Sequence, residues 1–187
     1  MAVARKEPSL ELSHEPKHHP ACCLSLSFKL FESIEQLLQP VYRENASKLV
    51  ILSVGCGSGF FENMLRSFLL KQELLNIQLR GVETYSTPTP YLPDEIIHRV
   101  QGTWDISDEA SEADVLLFVY PREGRLVQRY MNRFSPNICM VLWLGPRADW
   151  AEQEAFFQDI VAFHKPVLLE DAGLASYEVV VTMNNSL

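Results

Sequence analysis

Residues 50–61 read Val50-Ile-Leu-Ser-Val-Gly55-Cys-Gly57-Ser-Gly59-Phe-Phe, and this stretch decides the architecture. Residues 48–54 form a short, continuous apolar run with the length and β-branched content of a buried strand. Residues 60–70 then place Phe61, Met64, Leu65 and Phe68 on one helical face. Between strand and helix stand Gly55, Gly57 and Gly59, which tolerate backbone angles closed to other residues and leave main chain bare to a ligand. The helix start adds unpaired N–H groups. A plain tight turn needs fewer glycines, so the loop reads as a ligand cradle. Two other nucleotide loops are excluded: a G-x-G-x-x-G fingerprint needs glycine where Phe60 stands, and a P-loop needs a Gly-Lys-Ser/Thr sequence that is absent.

The alternation of strand and helix continues on both sides. Upstream, residues 26–38 bring Phe28, Phe31, Ile34, Leu37 and Leu38 to helical spacing, with Pro40 expected to limit the helix. Downstream, residues 77–83 read as a second strand, 98–100 as a short third, and 114–120, closed by Pro121, as a fourth. Residues 124–134 set Leu126, Val127, Tyr130, Met131 and Phe134 on one face, and 138–144 form a fifth strand. Asp149 and Glu152 fit a capping box for a helix reaching about residue 164. Residues 166–169 and 177–183 read as the last two strands, joined by the turn-prone segment 171–176. Strand–helix alternation predicts an α/β fold, a parallel sheet with helices on both faces. The last link is too short for a crossover helix, so the final strand should run antiparallel.

The chain has 187 residues, 47% hydrophobic and 21% charged, the profile of one soluble domain. No apolar run reaches the roughly 18 residues that span a bilayer. A formal net charge of −8 argues against a bulk preference for nucleic acid or an anionic membrane. Cys22, Cys23, Cys56 and Cys139 read as reduced thiols, and residues 1–20 lack the apolar stretch of a secretory signal, so a cytoplasmic protein is expected. Residues 1–21 are polar and expected to be a flexible tail, with the domain over 22–187. His14, His18, His19, Cys22 and Cys23 fit no established zinc spacing, and no metal site is expected.

The segment Ser53-Val-Gly-Cys-Gly-Ser-Gly59 resembles motif I of the class I S-adenosylmethionine-dependent methyltransferases, usually Asp/Glu-x-Gly-x-Gly-x-Gly. The order of elements over residues 26–183 is similar to the same fold. The resemblance implies a Rossmann-like, seven-stranded, mostly parallel sheet of order 3-2-1-4-5-7-6 with an antiparallel last strand. It implies S-adenosylmethionine as cofactor, beside Gly55, Cys56, Gly57 and Gly59. It further implies that Glu83, ending the second strand, binds the ribose hydroxyls, a role suited to a carboxylate that accepts two hydrogen bonds at once. Asp105 would accept from the adenine amino group, with Trp104 over the ring. Ser53 departs from the pattern: it can hydrogen-bond but supplies no charge toward the cofactor's amino group.

Methyl transfer is an in-line displacement at a sulfonium carbon and depends on holding donor and acceptor in line. A general base is needed only where the acceptor must lose a proton. In the family the segment after the fourth strand faces the substrate, which here is Val119-Tyr-Pro-Arg-Glu123 and makes Tyr120 the catalytic and substrate-facing candidate. After the fifth strand, Arg147 and Trp150 are candidates for an anionic or aromatic acceptor, Trp150 equally for a staple at the helix start. Arg122, Arg125, Arg129 and Arg133 recur at three- and four-residue spacing, either as a solvated stripe or as a face for docking an acidic partner, such as a protein, or RNA. The expected function is methyl transfer to a small-molecule acceptor. The alternatives are a catalytically degenerate methyltransferase-like binding or scaffold protein, and a lyase or cyclase on the same fold.

Overall fold

The computed structural model describes residues 11–44, 48–157, 160 and 162–186. In chain order it contains β1 (Lys17–His19), β2 (Cys22–Leu26), α1 (Phe28–Glu44), β3 (Leu49–Val54), α2 (Phe60–Lys71), β4 (Ile77–Thr84), β5 (Ile97–Val100) and β6 (Val115–Val119). Then follow α3 (Gly124–Phe134), β7 (Met140–Pro146), α4 (Arg147–Gln153), β8 (Val167–Leu169) and β9 (Glu178–Asn184). Seven strands form one sheet of order β5-β4-β3-β6-β7-β9-β8. Numbered by first appearance in that sheet, the order is 3-2-1-4-5-7-6. Only β9 runs antiparallel, pairing with both β7 and β8.

Strand periodicity divides the core into two layers. Successive side chains of a strand point to opposite faces. Leu49 and Ile51 of β3 therefore pack with α1 and α2, against Phe31, Ile34, Phe61 and Leu65. Val50, Leu52 and Val54 pack on the other face with Val127, Tyr130 and Met131 of α3 and with Trp150 of α4. All six residues of β3 are buried, as a central parallel strand covered on both faces requires. Each fully buried aliphatic or aromatic side chain of this kind contributes roughly 1.5–3 kcal/mol.

Three expectations are corrected. Pro40 does not end the first helix, which continues to Glu44. Pro40 lacks the N–H that would bond the Gln36 carbonyl, but both residues are exposed, so water can serve that carbonyl, while Val41 is buried and extends the apolar face. Asp149 and Glu152 do not cap a helix: α4 begins at Arg147 after Pro146, which places Asp149 inside its first turn. That helix ends at Gln153 and a 3-10 turn over Glu154–Phe156 follows, while residues 158, 159 and 161 of the expected helix lie outside the described residues. Finally, the segment expected as a tail contains a strand, β1, paired antiparallel with β2. Residues 1–10 of that segment lie outside the described residues.

Candidate functional site

In the sheet β3 has β4 on one side and β6 on the other, so the chain's winding reverses between β3 and β6. Strand carboxyl ends at such a reversal leave a crevice. A cavity of about 370 Å³ lies there, walled by Val54, Glu83 and Thr84, Val100, and Phe118–Tyr120 at the strand ends and by Gly55–Ser58 of the loop. Its volume falls within the usual range for small-molecule sites.

The three glycines do different work. All have positive φ, at 74°, 55° and 77° for Gly55, Gly57 and Gly59. A Cβ placed on Gly55 or Gly57 would meet nothing within 4 Å, so these two bare their main chain to open space. A Cβ on Gly59 would stand 2.6 Å from Leu92 Cγ, so Gly59 serves packing, and it does not line the cavity. Glu83 closes the loop from the neighbouring strand: its Oε2 accepts the Gly57 N–H at 2.7 Å and its Oε1 the Thr84 N–H at 2.8 Å.

Ser53 shares the parity of Leu49 and Ile51, so its side chain turns toward α2 and not into the cavity. It is fully buried and its Oγ donates to Glu62 Oε1 at 2.6 Å. Glu62, in the first turn of α2, lines the cavity. Burial pushes the Glu62 carboxyl up to about 7, the Ser53 hydroxyl opposes that, and the nearby Glu83 charge adds to it. Its Oε2 has no hydrogen-bond partner. The sequence reading missed Glu62, although its i+3 and i+7 neighbours Leu65 and Leu69 are apolar and would have marked an acid on a buried stripe.

The β1–β2 hairpin forms the wall over the glycine loop. Ser58 Oγ donates to the Ala21 carbonyl at 2.6 Å, and the His19 ring stacks on Phe60 with centroids 4.0 Å apart. His18 Nε2 and the Tyr177 hydroxyl share a hydrogen bond of 2.5 Å. Ala21, Cys22 and Cys23 line the cavity.

Tyr120 also lines it, held at φ 53° immediately after β6. Its hydroxyl donates to Glu178 Oε1 at 2.5 Å. The buried Glu178 further accepts the Ser25 N–H at 3.2 Å and the Ser25 hydroxyl. Burial, and then the Glu178 carboxylate, push the phenol far above its ordinary range. The phenol therefore stays protonated and engaged at neutral pH, which removes Tyr120 as a general base and leaves its ring as a packing surface.

Of the remaining candidates, Cys56 and Asp105 line the cavity, and Asp105 Oδ2 accepts the Gly102 N–H at 2.8 Å. Trp104 stands outside it, exposed, with its carbonyl accepting from Arg129. Arg147 is also outside: it pairs with Glu170 at 2.8 Å and donates to the Ser176 carbonyl, tying the start of α4 to the β8–β9 link. Trp150 is core, stacked on Phe157 at 5.0 Å and edge-on to Trp143 at 5.3 Å. In the arginine stripe, Arg122 lines the cavity, Arg129 holds Trp104, and Arg133 pairs with Asp108 at 2.6 Å. Half of the stripe thus fastens α3 to the segment before β6. Among the described residues no helix is long and apolar enough to cross a membrane.

No protein-family model matches the chain, and no curated protein matches it by sequence. Solved structures do match its fold. The methyltransferase domain of a bacterial Hen1, CtHen1-C, superposes with a TM-score of 0.58 at 14% identity, covering 85% of this chain and 98% of that one. The plantazolicin methyltransferase BpumL, solved with a monoazolic desmethylPZN analogue and S-adenosylhomocysteine, gives 0.56 at 12%, covering 86% and 84%. The S-adenosylmethionine-dependent methyltransferase SibL gives 0.56 at 11%, covering 84% of this chain but 55% of its own length. The fold is that of the class I S-adenosylmethionine-dependent methyltransferases.

Proposed function

We propose that this chain binds S-adenosylmethionine in the cavity at the glycine loop and transfers its methyl group to a small-molecule acceptor. The observation that carries the reading is the pairing of bare main chain at Gly55 and Gly57 with the Glu83 carboxylate 2.7 Å away on the adjacent strand. A ribose brings two vicinal hydroxyls, and the two Glu83 oxygens are acceptors suited to them.

Charge separates this reading from other nucleotides. The cavity wall carries Glu62, Glu83, Asp105 and Glu123 against one cation, Arg122. A cavity with that balance favours a cation and repels the phosphates of a dinucleotide or a nucleoside triphosphate. The cofactor, when bound, supplies a methyl group on a positively charged sulfur. The chain's own residues then bind and orient. Gly55–Ser58 hold one side, the β1–β2 hairpin roofs the loop, and Tyr120, Pro121 and Arg122 border the side left for an acceptor. A cavity of about 370 Å³, shared with the cofactor, leaves room for a small acceptor only. With the Tyr120 phenol bound to Glu178, transfer relies on alignment more than on a side-chain base.

Isothermal titration with S-adenosylhomocysteine tests the first half of this proposal. Saturable one-site binding tighter than about 1 mM is expected. Heat indistinguishable from dilution at that concentration would remove the cofactor. Incubation with S-adenosylmethionine and pooled small metabolites, read by mass spectrometry, tests the second half. Growth of a product heavier by one methylene is expected, and binding without any such product points to the lyase, cyclase or scaffold alternatives.

A further inference from the structure

Glu62 presents a problem that the fold alone does not explain. It is 1% exposed, one oxygen takes the Ser53 hydroxyl, and the other oxygen has no partner at all. A buried carboxylate oxygen without a hydrogen bond loses its hydration for no return, and buried charges are ordinarily paired. An acid in the first turn of a helix is favoured by the helix dipole, but an exposed one would serve equally. Among the described residues no cation pairs with it. The charged and titratable groups facing Glu62 are Glu83 from β4, Cys22 from β2 and Cys56 from the glycine loop. Burial drives both thiols up and holds them neutral, and Glu83 carries the same sign. Glu62 lines the cavity, so a ligand group there can reach it.

We infer that Glu62 is the anchor for a primary ammonium group on the ligand of this cavity, the α-amino group of an amino-acid moiety. The inference rests on the adenosyl reading above and adds to it the residue that binds the other end of the cofactor. It also accounts for Ser53. The acid commonly found at that place in motif I is absent, and here its charge stands on α2, with Ser53 Oγ fixing the carboxylate 2.6 Å away. An ammonium group brings three donors and a positive charge, matching an acceptor with a free oxygen.

The assignment has a consequence that a merely structural Glu62 would not share. With its carboxyl raised to about 7, Glu62 is largely protonated in the free protein on the acid side of neutrality. An ammonium group favours the ionised form, so binding expels that proton. Affinity should rise with pH through about 7 and level off above it.

The test compares S-adenosylhomocysteine with its analogue carrying hydrogen in place of the α-amino group, on the wild-type chain and on Glu62→Gln. Titrations at about pH 6.5 in buffers of different ionisation enthalpy count the protons released. The expected result has three parts: wild type prefers the amino compound by roughly tenfold or more, releases a proton only with that compound, and Glu62→Gln loses the preference and the release. Equal affinity of wild type for both compounds overturns the assignment without any variant. So does a Glu62→Gln chain that keeps the preference. If wild type binds neither compound, the adenosyl reading itself falls, and this inference with it.

Discussion

Glu83 and Gly57 are joined directly: the carboxylate Oε2 of the one accepts the main-chain N–H of the other at 2.7 Å. The contact spans 26 residues of sequence and links the end of β4 to the middle of the glycine loop. Glu83→Ala removes both of its acceptors and is expected to weaken S-adenosylhomocysteine binding by about 1–3 kcal/mol, roughly 5- to 150-fold. Isothermal titration reads this, and unchanged affinity would show that another group holds the ribose.

Gly57 and Gly59 should separate binding from folding. Gly57→Ala keeps a φ of 55° and so costs about 1–2 kcal/mol, a fall in melting temperature of roughly 2–8 °C. Its methyl group projects into open space, where a bound ligand would need to lie. Gly59→Ala combines a φ of 77° with a clash 2.6 Å from Leu92 Cγ, so overpacking adds about 1–3 kcal/mol. Thermal melts should therefore show the larger loss for Gly59→Ala, and titration the larger loss for Gly57→Ala.

Glu62 should make stability fall with pH. Its carboxyl moves from an ordinary 4.5 to about 7 in the folded chain, so the folded state binds more protons than the unfolded state between those values. The stabilisation from this group is complete below about 4.5 and lost as pH rises through about 7. Glu62→Gln keeps the shape and never ionises. Its melting temperature relative to wild type should climb between about pH 5 and pH 8, by an amount on the order of 3 kcal/mol in stability. A constant difference across that range would mean the carboxyl does not titrate there.

Tyr120→Phe leaves the buried Glu178 without one of its donors while sparing the ring that borders the cavity. A loss of about 1–3 kcal/mol in stability is expected, with the rate of methyl transfer at saturating substrate little changed. Abolished turnover in a folded Tyr120→Phe chain would restore the hydroxyl to the chemistry.

What the sequence revealed depended on how local the signal was. The bounds of α3 and the run from β3 through the loop into α2 were legible because periodicity, length and glycine placement all agree within a dozen residues. The sheet order followed from the resemblance carried by that one loop. Hairpin β1–β2 was not legible: its strands are three and five residues long, and two of the contacts that hold it, His18 with Tyr177 and Ser25 with Glu178, reach more than 150 residues along the chain. Arg147, Trp104 and Trp150 misled for a related reason. A residue type at a strand end says which rim it is near, but Glu170, the Arg129–Trp104 contact and the Trp143–Phe157 cluster decide where each side chain turns.

Cofactor binding at the glycine loop can be read directly from the chain's eight glycines. Isotope-labelled glycine gives one amide signal from each, so S-adenosylhomocysteine can be titrated against a short, resolvable spectrum. Gly55, Gly57 and Gly102, which line the cavity, should shift together and saturate, while Gly145 and Gly173, away from it, stay in place. A spectrum unmoved at Gly55 and Gly57, or moved only at Gly145 and Gly173, would contradict it.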